Sequence, residues 1–481
     1  MNLKKVAIIG LIFTLGSVFY TQIINFILKI ILTRILLPDD FGVMSLIFSI
    51  TSIMNILFTL GWTEKLIAKK QDAKKAFYTI FTLLFIIGLF FTILIIFISP
   101  FLATYFNTPQ LTNLLQLYSL TFILFPISII YSTYLQKYLL FLKKTTCEII
   151  SSTVFFVVAI ILAYLGYGIW SLVIAQVVQA AVFTLILFIS VGRWFPTFTY
   201  DKMILKEFYC FVKESGTGNI LGILILTVDN LFIGKYSGIA DLGYYTLAFS
   251  LSTLFVSVIS ISIGNVVFPF LAMTVKKEEV KRYFMKAIQL NFIILFPMLF
   301  FCFLFAMPLI TLLFSTTWIP AVALFKIFLI YTVFRSYCSL STQLALSTNK
   351  PVITKRIFFI ELIILAFLLY PLFLLFHLQG IAFAVLISRA TSAFLFYYFT
   401  KTWISFSFIE HITIMYKPFL LSLFLSLIAY YISSFFTIIS FFQVTGIFLG
   451  YITAYWILLS VLEPSARYEA HELIRLLFKM N

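Results

Sequence analysis

The chain has 481 residues, of which 63% are hydrophobic and 10% charged, and its formal net charge is +16. A soluble domain carries roughly a quarter charged residues, so this composition excludes a soluble globular protein and indicates that lipid is the solvent. The basic residues lie between apolar runs, which favours anionic lipid headgroups over nucleic acid as their partners. The four cysteines are scattered and form no CxxC pair, so they indicate neither a disulfide framework nor a zinc site.

Apolar runs long enough to cross a bilayer follow one another along the whole chain. The first run extends to about Ile31, which is too long for the apolar core of a signal peptide. We therefore predict an all-α polytopic membrane protein with about fourteen transmembrane helices. Their approximate bounds are 6–33, 42–61, 77–99, 113–136, 147–165, 169–191, 215–234, 243–268, 285–308, 321–346, 357–377, 379–400, 416–437 and 444–462.

The lysines and arginines set the orientation of these spans, because basic residues concentrate in cytoplasmic loops. With a cytoplasmic N-terminus, 27 of the 33 fall in cytoplasmic segments and four inside spans, which leaves Arg34 and Lys235 at the outer edges. This asymmetry predicts that both termini are cytoplasmic. The tail at 463–481 is mildly amphipathic, and we expect it to lie on the inner membrane surface.

The chain also carries an internal repeat. Residues 34–49 align with 235–250 without a gap, a shift of 201 that places Gly42 over Gly243. Three further matches follow in the same order with shifts of 208, 213 and 212. An even number of spans in each half makes the repeat parallel, and transporters commonly bind substrate between such halves.

The repeat predicts the domain organisation. We expect two pseudo-symmetric six-helix lobes at 1–205 and 206–400, followed at 401–481 by two extra transmembrane helices and a cytoplasmic amphipathic tail.

Several segments carry a family resemblance. Leu32–Gly42 resembles the end of the first span in the polysaccharide and O-antigen (lipid-linked oligosaccharide) flippases of the multidrug/oligosaccharidyl-lipid/polysaccharide exporter superfamily. Val228–Gly238 and the following Leu242–Tyr245 resemble the seventh-span signature of these flippases, and Trp318–Val322 and Leu346–Lys350 are also similar. The resemblance covers nearly the whole chain.

The resemblance implies two six-helix lobes around a central cavity. It also implies translocation of an undecaprenyl-diphosphate-linked oligosaccharide from the cytoplasmic to the outer leaflet, by alternating access and for cell-surface polysaccharide export. The expected location is a bacterial cytoplasmic (inner) membrane. The expected partners are the polyprenyl-diphosphate-linked glycan, membrane lipids and other membrane proteins of polysaccharide assembly, with no cofactor.

Two other functions stay open at this point. A multidrug/cation antiporter of the same superfamily needs acidic residues in its cavity, whereas the mid-membrane charges here are mainly basic. An integral-membrane glycan polymerase or ligase uses large outer loops, whereas the outer loops here are short. No P-loop, Ser/His/Asp set or metal-ligand spacing is present, so we expect neither an enzyme nor a metal site.

A diphosphate headgroup can enter a membrane only where cations and water meet it. Arg335 and Arg389 lie near mid-membrane and are the candidate phosphate contacts, because guanidinium binds phosphate through two parallel hydrogen bonds. Ser339 lies one turn from Arg335 on the same face. The alternative is that these arginines form structural pairs with a carboxylate or with backbone carbonyls.

The first span places Gln22, Asn25 and Lys29 on one helix face, because they follow at steps of three and four. We expect all three to contact substrate, although Lys29 is also close enough to the outer surface to reach it with its side chain. Gln116, Gln176 and Gln179 can hydrogen-bond either sugars or neighbouring helices.

Three carboxylates complete the candidate site residues. Asp229 is the candidate for binding a coupling proton or sodium ion, and its structural alternative is a pair with Lys29. Glu148 and Glu361 occupy equivalent cytoplasmic ends of spans, beside basic residues, and we predict that they form ion pairs holding a gate or loop.

Overall fold

A computed structural model of the chain describes residues 3–192, 194–274, 276–435 and 440–462, and within them the secondary structure is helical, without strands. The predicted all-α class is therefore confirmed. The amphipathic tail predicted at 463–481 lies outside the described residues.

The chain forms two compact units, one up to Thr246 and one from Leu247 on. The predicted lobe bounds at 205 and 206 refer to the sequence repeat and stay a prediction. The N-terminal unit contains α1 (Leu3–Leu32), α2 (Pro38–Asn55), α3 (Trp62–Ala68), α4 (Ala73–Tyr105), α5 (Leu111–Ser119), α6 (Thr121–Lys137), α7 (Phe141–Tyr164), α8 (Trp170–Ser190), α9 (Lys202–Ile225) and α10 (Val228–Tyr236).

The unit boundary falls inside α11 (Ile239–Phe255), which continues through a single wider π-helical turn into the next helix. The C-terminal unit then contains α12 (Ile261–Met273), α13 (Lys277–Leu304), α14 (Ala306–Leu313), α15 (Ala321–Ser347), α16 (Pro351–Ile404), α17 (Phe408–Ser433) and α18 (Phe441–Leu462).

The helix α16 is a hairpin of two spans. Its 54 residues far exceed the roughly 20 that a span needs. The backbone leaves the helical region at His377 (φ 50°, ψ −132°). A Cβ on Gly380 would lie 1.9 Å from the carbonyl oxygen of Leu372, an approach that requires the chain to reverse direction. The two arms, 351–376 and 378–404, correspond to the spans predicted on either side of this turn.

Among the described residues, twelve helices are long and apolar enough to cross a membrane when α16 is counted once. A thirteenth apolar segment, Gly16–Leu32 of α1, is shorter than these. The polytopic fold is thus confirmed, and the total of fourteen spans stays a prediction.

The N-terminal ends of α2 and α11 make a reciprocal contact. A Cβ on Gly42 would lie 2.0 Å from the carbonyl oxygen of Ile239, and a Cβ on Gly243 would lie 2.0 Å from that of Pro38. Only glycine allows a backbone to approach this closely. Both pairs of equivalent positions are separated by 201 residues, which is the shift of the sequence repeat.

One hydrogen bond extends the same relationship by a helical turn. The Ser45 hydroxyl donates to Thr246 Oγ1 at 3.0 Å, and these two residues are also 201 positions apart. The ends of α2 and α11 are therefore related by a local two-fold axis.

Ion pairs hold the start of α9, outside the apolar segments. Asp201 accepts hydrogen bonds from the first backbone N–H groups of the helix and lies 2.6 Å from Lys75. Glu207 lies 2.5 Å from Lys69, directly after α3, and 3.1 Å from Lys65 in α3. The hydrogen bonds from Lys69 and Lys65 hold the pKa of Glu207 below its ordinary value, and the hydrogen bond from Lys75 does the same for the pKa of Asp201.

Candidate substrate-binding site

A polar cavity of about 650 Å³ lies inside the N-terminal unit, between α1, α3, α6, α7 and α8. Eight serine and threonine hydroxyls line it, together with two phenylalanine rings. The remaining polar groups of the lining are Gln22, Gln136, Gln176, Gln179, Lys144 and Glu148. The cavity therefore offers many hydrogen-bonding groups and little charge.

The glutamines enter the cavity because of their helical spacing. Gln176 and Gln179 are three residues apart on one face of α8, and Gln22 faces the same space from α1. All three are half-buried, and among the described side chains none of their amides has a hydrogen-bond partner. Asn25 is exposed, while Lys29 is half-buried and lies outside the cavity lining, so the structure separates these two from Gln22.

The two charges of the cavity belong to one pair. Lys144 Nζ lies 3.9 Å from Glu148 Oε1 across one turn of α7, and 3.4 Å from Gln136 Oε1. Both charged side chains are partly exposed, at 26% for Lys144 and 35% for Glu148. The pairing is the one expected from the sequence, and its role at a gate stays a prediction.

A second polar cluster lies in the C-terminal unit, between the two arms of α16. Arg389 Nη2 lies 3.0 Å from Glu361 Oε1, and the Ser392 hydroxyl donates to Glu361 Oε2 at 2.7 Å. Only 9% of the Arg389 side chain and 1% of the Glu361 side chain is exposed. These residues form a buried ion pair.

The partner of Glu361 differs from the basic neighbours, Lys355 and Arg356, that the sequence places beside it. Glu361 lies about 15 Å along the helix axis from the start of the helix at Pro351. It pairs with Arg389, on the returning arm of the hairpin. Its role at a gate or loop stays a prediction.

Arg335 on α15 lies near the same Tyr331 ring as Arg389. Its guanidinium lies 5.6 Å from the Phe249 ring and 6.0 Å from the Tyr331 ring, while the Arg389 guanidinium lies 5.7 Å from the Tyr331 ring. In the described structure Arg335 Nη1 and Arg389 Nε are buried without hydrogen-bond partners. Two guanidinium groups and one carboxylate give the cluster a formal charge of about +1. Ser339, one turn from Arg335, is half-buried.

Asp229 is buried in a third location, within the N-terminal unit. The span that carries it is interrupted between α9 and α10, and Asp229 lies in the first turn of α10. The Tyr245 hydroxyl donates to its carboxylate at 2.5 Å, and the backbone N–H of Asn230 donates at 2.8 Å. Both described donors are uncharged, so these bonds hold the carboxylate without forming an ion pair.

Sequence reasoning missed part of the cavity wall, although the pattern was present. Ser128, Ser132 and Gln136 follow at steps of four on α6, which aligns them on one face of the helix. This polar stripe is the signal that predicts a cavity-lining face.

Solved structures share the fold of this chain. A structure described as the lipid II flippase MurJ in an inward closed conformation has a TM-score of 0.80 and 14% sequence identity, over 95% of this chain and 99% of that one. An inward-facing multidrug resistance MATE family transporter of the MOP superfamily has a TM-score of 0.66 and 15% identity, over 80% of this chain and 94% of that one. The fold is therefore that of MOP-superfamily transporters.

The sequence comparison names the family. The family described as polysaccharide biosynthesis protein matches residues 31–323, more than half of the chain, so the chain belongs to this family. The family match and the shared fold together bear out the resemblance to polysaccharide-biosynthesis membrane proteins of this fold.

Two curated relatives are similar over part of their length. The succinoglycan biosynthesis transport protein ExoT of Rhizobium meliloti (strain 1021) is 27% identical over 61% of this chain and 60% of its own length. The teichuronic acid biosynthesis protein TuaB of Bacillus subtilis (strain 168) is 25% identical over 59% of each chain. The matched region thus spans about three fifths of these relatives.

Proposed function

We propose that this protein is a flippase, not an enzyme, which moves undecaprenyl-diphosphate-linked oligosaccharide from the cytoplasmic to the outer leaflet for cell-surface polysaccharide export. The observation that carries the proposal is the excess of positive charge in the cluster of Arg335, Arg389 and Glu361. Arg335 is half-buried, and a net cation held partly away from water in a membrane protein is costly unless an anion binds there. A diphosphate is an anion that two guanidinium groups are suited to bind.

The two arginines have different roles in this proposal. Arg389 already has a carboxylate partner, so its charge is largely balanced by Glu361. Arg335 contributes the excess charge, and its buried Nη1 atom lacks a partner in the described structure. Arg335 is the first phosphate contact, Arg389 and Ser339 are secondary contacts, and Lys29 and Asn25 meet the substrate from α1.

The polar cavity disfavours the cation antiporter of the same superfamily. A transporter of cationic drugs needs net negative charge where the drug binds. The acidic residue of this cavity lining, Glu148, lies beside Lys144, and the two formal charges cancel. A glycan polymerase or ligase is disfavoured by the fold, because the structures that share it are a lipid II flippase and a MATE family transporter.

Transport by alternating access requires the contact between α2 and α11 to open. With both termini cytoplasmic in the inner membrane, Gly42 and Gly243 lie near the outer surface, where their contact closes the exit. Asp229, buried next to a helix interruption, is the proposed site for a coupling proton or sodium ion. The proposed partners are the lipid-linked glycan, membrane lipids and other polysaccharide-assembly proteins.

The direct test is flipping of fluorescent polyprenyl-diphosphate-linked glycan in proteoliposomes. We expect the wild type to flip the lipid and Arg335→Ala to lose most of this activity. Lys326→Ala is the matched control, because Lys326 is a cation on the same helix that lies over Phe303, 5.4 Å from its centroid. Uptake of a cationic dye without glycan flipping would support the antiporter instead.

A further inference from the structure

The cavity of the N-terminal unit differs chemically from the arginine cluster. It combines eight hydroxyl groups and four glutamine amides with the rings of Phe125 and Phe183. Its volume of about 650 Å³ is far larger than an ion requires and falls in the range of cavities that hold organic ligands. These properties fit a polar, uncharged ligand with apolar faces.

The amide groups of this cavity are available to a ligand. Gln176 and Gln179 are half-buried, and no described side chain hydrogen-bonds to them. Each amide presents both donors and an acceptor, and a sugar hydroxyl likewise donates and accepts. Polar groups removed from bulk water are stabilised when a ligand or ordered water satisfies them.

The charge of the cavity is balanced at its exposed end. Lys144 and Glu148 lie 3.9 Å apart, which is too long for a direct hydrogen bond, so each retains the capacity to contact a ligand. A carboxylate on a ligand would be attracted by Lys144 and repelled by Glu148. The pair therefore gives an acidic sugar little net attraction. Because the charged sugar also loses hydration on entering, its binding is disfavoured.

We propose that this cavity is the subsite for uncharged sugar residues of the transported glycan, and that the Lys144–Glu148 pair discriminates against acidic sugars. This inference rests on the proposed flippase function and adds the class of sugar that the cavity accepts. Gln22, Gln176 and Gln179 hydrogen-bond the sugar hydroxyls, while Phe125 and Phe183 contact the apolar faces of the rings.

The test measures binding of free oligosaccharides to the purified full-length protein, without lipid or diphosphate. The probes are a neutral tetrasaccharide and a tetrasaccharide of the same size that carries one uronic acid. We expect the wild type to bind the neutral probe several-fold more tightly. Glu148→Gln leaves the Lys144 charge unopposed, and its affinity for the acidic probe should rise about ten-fold.

A pair of glutamine variants locates the binding. Gln179→Leu should weaken binding of the neutral probe about ten-fold. Gln116→Leu is the matched control, because Gln116 lies on α5 outside the cavity lining, and it should bind as the wild type does. Thermal unfolding of each variant separates lost binding from lost folding.

The outcomes distinguish this inference from the proposed function. Equal binding of both probes by the wild type, or no gain for the acidic probe in folded Glu148→Gln, overturns the discrimination by the Lys144–Glu148 pair. Binding of the neutral probe that folded Gln179→Leu leaves unchanged overturns the sugar subsite. Binding that depends on Gln179, in a protein that flips no lipid-linked glycan, supports a neutral-sugar site and overturns the flippase function.

Discussion

Gly42 and Gly243 occupy equivalent positions in the two repeats. Gly42 faces the carbonyl oxygen of Ile239 and Gly243 faces that of Pro38, and Pro38 and Ile239 are themselves repeat counterparts. An added methyl group at either position would lie 2.0 Å from that oxygen. We expect Gly42→Ala and Gly243→Ala each to destabilise the protein by about 1–3 kcal/mol, because backbone atoms must separate. Thermal unfolding in detergent measures this. Gly446→Ala, where nothing lies within 4 Å of the new atom, is the control and should unfold like the wild type.

A disulfide across the same contact tests whether it opens during transport. The Ser45 and Thr246 side-chain oxygens are 3.0 Å apart, close enough for cysteines at both positions to bond. In a background without the four native cysteines, we expect oxidised Ser45→Cys/Thr246→Cys to stop flipping and reductant to restore it. Each single cysteine variant should be insensitive to oxidation. Undiminished flipping by the fully cross-linked protein would show that this contact stays closed throughout the cycle.

The buried pair of Arg389 and Glu361 should respond as a unit in stability measurements. Glu361→Gln leaves a buried guanidinium without its charged partner, and we expect a loss of about 3–5 kcal/mol. Replacing both residues together, with Arg389→Met and Glu361→Met, should recover most of the loss. A double mutant as unstable as the sum of the single mutants would indicate that the two side chains act independently.

Arg335 should behave differently from Arg389. Arg335 lies over aromatic rings and forms no ion pair among the described residues. We therefore expect the Arg335→Met protein to keep most of its free energy of unfolding while its flipping rate falls at least ten-fold. Unfolding and flipping are measured on the same preparation. If flipping is retained while stability falls, the role of Arg335 is structural.

The ion pairs of Glu207 give a pH dependence with a definite sign. Its pKa is lowered in the folded protein, so its contribution is complete above the unfolded value of about 4.3 and disappears as the pH falls through the lower folded value. Because the side chain is 39% exposed, the contribution is about 1 kcal/mol or less. The unfolding temperatures of the wild type and Glu207→Gln should differ at pH 7 and converge towards pH 3. A constant difference across this range would contradict the assignment.

Asp229 provides a test of ion coupling. We expect Asp229→Asn, which preserves the shape of the side chain, to make flipping independent of an imposed proton or sodium gradient. Asp241→Asn is the matched control, because Asp241 is a half-buried carboxylate of the same unit that accepts a hydrogen bond from Ser237. A mutant that still responds to the gradient would remove Asp229 as the coupling site.

Much of the fold could be predicted because hydropathy and the repeat report directly on spans. The sequence predicted separate spans on either side of His377, and the backbone reverses at that residue. The ion pair of Glu361 with Arg389 was not predictable from hydropathy, which identifies spans and not their packing partners. The partner of Glu361 lies 28 residues away on the returning arm, and only tertiary structure reveals it.

The sequence predicts the types of residue in the candidate site, but it predicts only part of their arrangement in space. The sequence predicts Gln22 as a substrate contact and Gln116, Gln176 and Gln179 as partners of sugars or helices. The structure places Gln22, Gln176 and Gln179 around one cavity and Gln116 outside it. Asn25 and Lys29 share a sequence face with Gln22 but lie outside that lining. Periodicity identifies the residues on one helix face, whereas the packing of neighbouring helices determines which of these residues line a cavity.

The reciprocal glycine contact also bears on the origin of the chain. Two parallel copies of a half-length ancestor, each with one such glycine and one such carbonyl, would form both contacts with a single sequence. In that homodimer every substitution would appear twice. Two halves in one chain can instead carry different substitutions, and the two units differ: one holds a cavity of hydroxyl and amide groups, and the other holds Arg335 near the Arg389–Glu361 pair.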